Sequence, residues 1–142
     1  MQNLESLGQT AEIAELLKKI RKVAVVGLSP KTNRPSNMVG RYLVDAGYTV
    51  YPVNPGHDAI LGVKCYPSVS AIPDPVDVVD IFRKSEDILP IVEEIVALSK
   101  KPLAVWMQQG IINEEAAELA RENGIFVVMD RCIKVDHQNL AG

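Results

Sequence analysis

The stretch KVAVVGLSPKTNRPSN, residues 22–37, contains the junction that decides the fold. Val23 to Val26 form an unbroken run of β-branched and small apolar residues, which is typical of a strand covered on both faces in a parallel sheet. After a polar loop, a helix is predicted over Ser36 to Ala46, with Ser36 as its N-cap and Gly47 just beyond its end. This order of strand, loop and helix predicts a βα unit.

Four further apolar runs indicate that the unit is repeated. They cover Tyr48 to Val53, Val76 to Phe82, Leu103 to Met107 and Ile125 to Met129. Helices are predicted over Thr10 to Arg21, Ser85 to Leu98 and Asn113 to Glu122, with Thr10, Ser85 and Asn113 at their N-cap positions. Strands alternating with helices imply right-handed crossovers, and therefore an α/β fold with a single doubly wound, mostly parallel sheet.

Two regions depart from this alternation. From Asn54 to Pro75 the pattern is looser, with a turn at Pro55 and Gly56, a short strand within Leu61 to Cys65, and a short helix over Ser68 to Ile72. The tail after Arg131 is polar, and we expect it on the surface.

Composition excludes several classes of protein. A chain of 142 residues with 47% hydrophobic content fits one domain, residues 1–142, that buries a core without disulfides or metals. The net charge of −3 argues against nucleic-acid binding. The apolar runs are too short to span a membrane and no signal peptide is recognised, so we expect a cytoplasmic location. Cys65 and Cys132 form no CxxC pair and are expected to be free thiols.

Polar and cationic residues follow almost every predicted strand. In an open α/β sheet, ligands bind beyond the carboxyl ends of the strands, so these residues are the candidates for a site. They are Gly27, Ser29, Lys31, Arg34 and Ser36 after the first strand; Asn54 after the second; Arg83 and Lys84 after the third; Gln108, Gln109 and Gly110 after the fourth; and Asp130, Arg131 and Cys132 after the fifth.

The loop after the first strand has the features of a phosphate site. The positive end of the helix predicted from Ser36 points toward this loop, and its first N–H groups are free to bind an anion. Lys31 and Arg34 add charge there. Each charge-assisted hydrogen bond to phosphate contributes roughly 1.5 to 3 kcal/mol, so two or three would support binding in the micromolar range.

Two common nucleotide motifs are absent from the sequence. The loop reads GxSxxxxRxS in place of GxGxxG, and the second strand ends in Asn54 where an NAD site has Asp or Glu for the ribose diol. No Walker sequence GxxxxGKS or GxxxxGKT occurs either. A nucleotide whose ribose carries phosphate suits a cationic loop without a carboxylate better than NAD or ATP does.

Three segments then identify a family that the chain resembles. VAVVGLSPKTNRPSNMVGRYLVDAGYTVYPVNP, VDVVDIFRKSED and VWMQQGIINEEAAELARENGIFVVMDRC resemble the small stand-alone CoA-binding proteins. The single Rossmann-like domain of those proteins is similar to the N-terminal domain of the succinyl-CoA synthetase alpha subunit. The resemblance covers roughly residues 20–132, which we take as the core of the domain.

The resemblance implies that coenzyme A lies across the carboxyl edge of the sheet, with its phosphates near the first loop. By position, Gly27 would allow a close approach of the backbone, while Ser29, Arg34 and Ser36 would hold phosphate oxygens. The other contacts implied are Asn54 beside the nucleotide, Phe82 and Arg83 near the middle of the sheet, and Gln109 with Gly110 on the far side.

No catalytic residue is expected. In the synthetase the phosphorylated histidine comes from a second domain that this sequence does not contain, so we do not expect ligase activity from this chain alone. His57 in a turn and His137 in the tail accompany no recognisable nucleophile. Cys132 has Arg131 beside it, and a neighbouring cation can make a thiol reactive, for instance toward the thiol of CoA.

Three functions therefore remain open. The first is a non-catalytic module that binds CoA or an acyl-CoA. The second is a small enzyme that transforms CoA or acyl-CoA with Cys132 or with a partner subunit. The third is a domain that binds a nucleotide of the NADP type through Arg34.

Overall fold

A computed structural model describes residues 9–141. Its strands are β1 (Lys22–Val26), β2 (Thr49–Val53), β3 (Ala59–Ile60), β4 (Val63–Lys64), β5 (Val78–Ile81), β6 (Ala104–Met107) and β7 (Phe126–Val128). Its α-helices are α1 (Thr10–Lys19), α2 (Pro35–Asp45), α3 (Ile88–Val96), α4 (Glu114–Glu122) and α5 (Ile133–Asp136). Two short 3₁₀ helices, Val69–Ala71 and Ser85–Asp87, and a final π-helical segment, His137–Ala141, complete the described elements.

Five of the strands form one parallel sheet in the order β2-β1-β5-β6-β7. The first strand lies inside the sheet, with Val23 opposite Val50 on one side and Val78 on the other. Strands β3 and β4 form a separate antiparallel hairpin. The sheet confirms the predicted Rossmann-like α/β class, because all five strands are those read from the apolar runs.

Helices cover both faces of the sheet and divide the core in two. On one face, α1 and α2 pack through Leu17 and Leu43 against residues such as Val25 and Trp106. On the other face, side chains of α3 and α4 pack against the alternate residues of the same strands, such as Val79 and Val105. This double cover explains the continuous apolar runs, because every second residue in such a strand is also buried.

The predicted helix starts need three corrections. Thr10 is the first residue of α1 and not its cap, because Gln9 occupies the N-cap position. Ser36 is the second residue of α2, which begins at Pro35 with Arg34 at the N-cap. Ser85 lies in the 3₁₀ turn that precedes α3. Asn113 is confirmed as the N-cap of α4, where its side chain accepts a hydrogen bond from the Ala116 N–H at 2.9 Å.

The C-terminal tail is not the surface segment that its polar composition suggested. It folds back as α5, whose Ile133 is fully buried in the core beside α1 and α2. Arg131 and Asp136 form a short ion pair at 2.7 Å, and the Tyr42 hydroxyl lies 2.6 Å from Nδ1 of His137. The ion pair is local to the C-terminal segment, whereas the contact of His137 with Tyr42 joins that segment to α2.

One acidic side chain lies inside the sheet. Asp80 of β5 is fully buried opposite Val25 and Trp106, and neither of its carboxyl oxygens has a hydrogen-bond partner among the described residues. Burial raises the pKa of Asp80 well above its ordinary value. The fold therefore favours the neutral, protonated carboxyl.

We predict that Asp80 makes stability decrease with rising pH. The folded chain holds a proton at Asp80 that the unfolded chain loses near about pH 4. Above that pH the free energy of unfolding falls by at most about 1.4 kcal/mol per pH unit from this group, until the raised pKa is passed. Asp80→Asn removes this contribution.

Urea unfolding between about pH 5 and about pH 7 measures the effect. The difference in unfolding free energy between D80N and the unchanged chain should grow with pH. The exposed carboxylate of Asp45 gives a matched control, D45N, for which no such trend is expected. A constant difference for D80N across this range would contradict the prediction.

Candidate functional site

The strand order creates a crevice between β1 and β5. From β1 the chain continues to β2 on one side of it, and the later strands β5, β6 and β7 are added on its other side. The switch point of the sheet therefore lies between β1 and β5. Ligands of doubly wound folds bind at this point, beyond the carboxyl ends of the strands. A pocket of 560 Å³ lies there.

Residues from four separate segments line this pocket. The loop after β1 together with the start of α2 contributes Gly27, Ser29, Pro30, Lys31, Arg34, Pro35 and Ser36; the turn after β2 contributes Asn54 and His57; the segment after β5 contributes Phe82, Arg83 and Lys84; and Ile111 comes from the segment after β6. Seven of the nine residues predicted for the site are therefore brought together in one place.

Gly27 allows the end of β1 to lie in close contact with the backbone that follows β5. A Cβ atom at this position would lie 2.3 Å from the carbonyl oxygen of Phe82 and 3.3 Å from Nε of Arg83. Its φ of 84° is also in the left-handed region that favours glycine. No other residue type allows the two chain segments to approach in this way, so Gly27 is a structural requirement of the pocket.

The loop after β1 is held by the first turn of α2. The Ser29 N–H donates to Oγ of Ser36 at 3.0 Å, and the Asn37 side-chain amide donates to the Ser29 carbonyl at 2.8 Å. Oγ of Ser29 in turn accepts from the Lys31 N–H at 3.1 Å. Because both hydroxyls act as acceptors in these bonds, each keeps its own proton to donate to a ligand.

The pocket is cationic. Lys31 and Arg34 flank the start of α2, and Arg83 with Lys84 lie across from them after β5. The N-terminus of α2 adds the positive end of an eleven-residue helix. No Asp or Glu is among the described residues that line the pocket. The charges and free donors together favour a ligand with several negative charges.

The two remaining predicted residues lie outside this lining. Gly110 donates its N–H to Oδ1 of Asp130 at 2.7 Å, and Gln109 is exposed beside it. The pocket wall nearest to them is formed by Ile111. Gln108, which also follows β6, is buried and accepts a hydrogen bond from the Ile133 N–H at 3.1 Å. This contact gives Gln108 a structural role. A ligand contact by Gln109 or Gly110 stays a prediction.

Outside residues 27–36, sequence reasoning missed three lining residues. Lys84 was noted after its strand but not assigned to the site, while His57 and Ile111 were not considered as ligand contacts. Their common signal is position, because each lies within a few residues of a strand's carboxyl end. A wider window after each strand would have included all three.

The thiols lie apart from the pocket lining. Cys65 is buried, its Sγ lies 3.4 Å from the Asn54 carbonyl, and desolvation raises the pKa of its thiol. Cys132 packs against the core cluster at the start of α5. The guanidinium of Arg131 makes bonds of 2.8 and 2.7 Å to Asp136. These contacts do not support the activation of Cys132 that its neighbour suggested.

Two negative findings concern residues 9–141. They contain no group of three or more His, Cys, Asp or Glu side chains arranged to hold a metal ion. None of the helices in this range has both the length and the apolar character needed to cross a membrane.

The fold and the pocket define a Rossmann-like α/β protein with a cationic pocket at the switch point of its sheet. The model of the family described as "CoA binding domain" matches residues 21–138. Because this match covers most of the chain, the protein belongs to the CoA-binding domain family.

Similar proteins include both short and long chains. A protein of Bacillus subtilis, YneT, is 46% identical over 127 residues, which cover 89% of this chain and 93% of that protein. A solved structure of a hypothetical protein from Pyrococcus horikoshii has 43% identity and a TM-score of 0.88, covering 94% of this chain and 92% of its own. An ADP-forming acetate–CoA ligase of Archaeoglobus fulgidus is 31% identical, but the matched region spans only 18% of that enzyme.

We predict that Gly27→Ala destabilises the chain by about 3 kcal/mol or more. The Cβ atom of the new alanine would lie 2.3 Å from the Phe82 carbonyl oxygen, so β1 and β5 would have to separate. The alanine would also have to adopt the positive φ of Gly27, which is strained for a residue with a Cβ atom. Gly124→Ala is the matched control, because Gly124 has a φ of 75° but nothing within 4 Å of an added Cβ.

The control should cost only about 1 kcal/mol, from the backbone conformation alone. Urea unfolding of both variants measures the two losses. Equal losses would contradict the close approach at Gly27.

Proposed function

We propose that the chain binds coenzyme A or an acyl-CoA in the pocket between β1 and β5, without catalysing a reaction alone. The observation that carries the proposal is the charge of that pocket: Lys31, Arg34, Arg83 and Lys84 line it together with no carboxylate among its described residues. Membership of the CoA-binding domain family supports the same ligand.

The chemistry of coenzyme A suits this lining. Its 3′-phospho-ADP part carries a pyrophosphate and a ribose phosphate, and both require cations or free N–H and O–H donors. In the proposal, Ser29, Arg34 and Ser36 hold phosphate oxygens at the N-terminus of α2. Phe82 and Arg83 contact the ligand from the opposite side, and Asn54 borders the nucleotide. The pantetheine arm extends toward Gln109 and Gly110.

The ligase activity of the longer relatives is not part of the proposal. The region matched by this chain is less than a fifth of the Archaeoglobus enzyme, and the name of that enzyme describes the whole protein. We propose instead that residues 1–142 act as one domain in the cytoplasm that carries CoA or senses its level.

A nucleotide of the NADP type is the second candidate. Among the described residues, no carboxylate lines the pocket beside Asn54, which disfavours the free ribose diol of NAD but leaves room for a ribose that carries a phosphate. Arg34 lies in the same pocket and could bind that phosphate. Calorimetry with CoA, dephospho-CoA, NADP and NAD separates the two candidates.

In that calorimetry we expect CoA to bind with a Kd in the micromolar range. Dephospho-CoA should bind about tenfold more weakly, because one charge-assisted contact is lost. NAD should show no binding at the same concentrations. Tighter binding of NADP than of CoA would overturn the proposal in favour of the second candidate.

We predict that Arg34→Ala weakens CoA binding by about tenfold. A hydrogen bond to a charged group contributes about 1.5 kcal/mol or more, and the lower end applies because Arg34 is exposed and partly screened by salt. Arg121→Ala removes the same charge from the last turn of α4, outside the pocket lining, and should leave the affinity unchanged. Equal affinities for both variants would contradict the role given to Arg34.

A further inference from the structure

His57 lies at the edge of the pocket in the turn between β2 and β3. Its imidazole is exposed and lines the pocket together with Lys31 and Arg34 of the first loop. Within residues 9–141, no hydrogen bond or ion pair occupies the ring. The side chain is therefore available to a ligand.

The turn that carries His57 is fixed at both of its ends. Before it, the Asn54 side-chain amide donates to the Leu28 carbonyl at 2.9 Å, and the Asn54 N–H donates to the Tyr66 carbonyl at 2.9 Å. After it, the Asp58 carbonyl accepts from the Cys65 N–H at 2.9 Å. Because the bond to Leu28 joins this turn to the first loop, His57 and the phosphate-binding residues belong to one connected unit.

The charges around His57 determine how it can respond to a ligand. The ionisable side chains that line the same pocket are all basic: Lys31, Arg34, Arg83 and Lys84. The exposed carboxylate adjacent in sequence is Asp58. A phosphate that enters among the cations brings negative charge close to the imidazole and favours its charged form. Histidine is the side chain that ordinarily gains a proton between about pH 5 and pH 8.

We propose that His57 is a phosphate ligand of the pocket that takes up a proton when the ligand binds, so that affinity rises as pH falls. This inference rests on the proposed function for the identity of the ligand, but it assigns a residue and a pH dependence that the resemblance did not imply. Binding would then respond to pH in the range where the fixed charges of lysine and arginine do not change.

The chain has two histidines, His57 and His137, so proton NMR can follow each ring separately. His57→Gln assigns the signals. With saturating CoA, the titration midpoint of His57 should move to higher pH, while that of His137, which contacts Tyr42 and Tyr48 away from the pocket, should not move. An unmoved His57 signal in the presence of bound CoA would overturn the inference.

Calorimetry gives an independent measure of the same proton. Dephospho-CoA is one probe because it lacks the ribose phosphate, which itself titrates near about pH 6. Its affinity for the unchanged chain should rise by about fivefold from about pH 8 to about pH 6, and the rise should be absent in H57Q. H57K, with a permanent charge, should bind well at both pH values.

A rise in affinity from about pH 8 to about pH 6 that persists in H57Q would overturn the inference. If dephospho-CoA shows no His57-dependent rise while CoA still moves the NMR signal, the ribose phosphate is the group that His57 binds, and the inference holds.

Inorganic pyrophosphate separates failure of this inference from failure of the proposed function. If CoA does not bind but pyrophosphate moves the His57 signal, the phosphate role stands and the proposed ligand is wrong. If neither compound moves it, this inference is wrong, and the proposed function is wrong as well only if calorimetry also shows no binding of CoA.

Discussion

The close approach of Gly27 to the Phe82 carbonyl is the contact on which the site depends. It occurs where β1 ends and the loop that leads to α2 begins, and only a residue without a Cβ atom allows it. Through this contact the loop after β1 and the segment after β5 become two walls of one pocket. The hydrogen bonds among Ser29, Ser36 and Asn37 then hold the loop in the conformation that this approach requires.

Electrostatics separates the rim of the sheet from its interior. At the rim, basic side chains gather without a carboxylate among the described lining residues, so their mutual repulsion is relieved only by water, salt or an anionic ligand. In the interior, Asp80 is held without a partner and is kept neutral by burial. The basic rim lowers stability when no anion is bound, because like charges repel one another. The buried carboxyl of Asp80 lowers stability because it has lost its hydrogen bonds to water without gaining others among the described residues.

The grouping of most of the predicted residues in one pocket follows from local geometry. Ser29, Arg34 and Ser36 lie close together in the sequence between β1 and the first turn of α2, so their proximity was assured once that strand and that helix had been recognised. Asn54 and Arg83 could be expected because parallel strands end at the same edge. Helix starts were less reliable. Ser36 has the side chain of an N-cap, but its hydroxyl binds the Ser29 N–H instead, and the helix begins one residue earlier at Pro35.

By itself the sequence determined the five buried strands, the helices between them and the cationic loop, because burial on both faces and amphipathic spacing are properties of neighbouring residues. Only the tertiary structure decided that β1 lies between β2 and β5, and that His57, Lys84 and Ile111 face the same pocket. It also decided that the polar C-terminal segment packs on the domain, through Ile133 and the contact of His137 with Tyr42. These features join residues far apart in the chain, and their contacts depend on strand order and packing that no local pattern encodes.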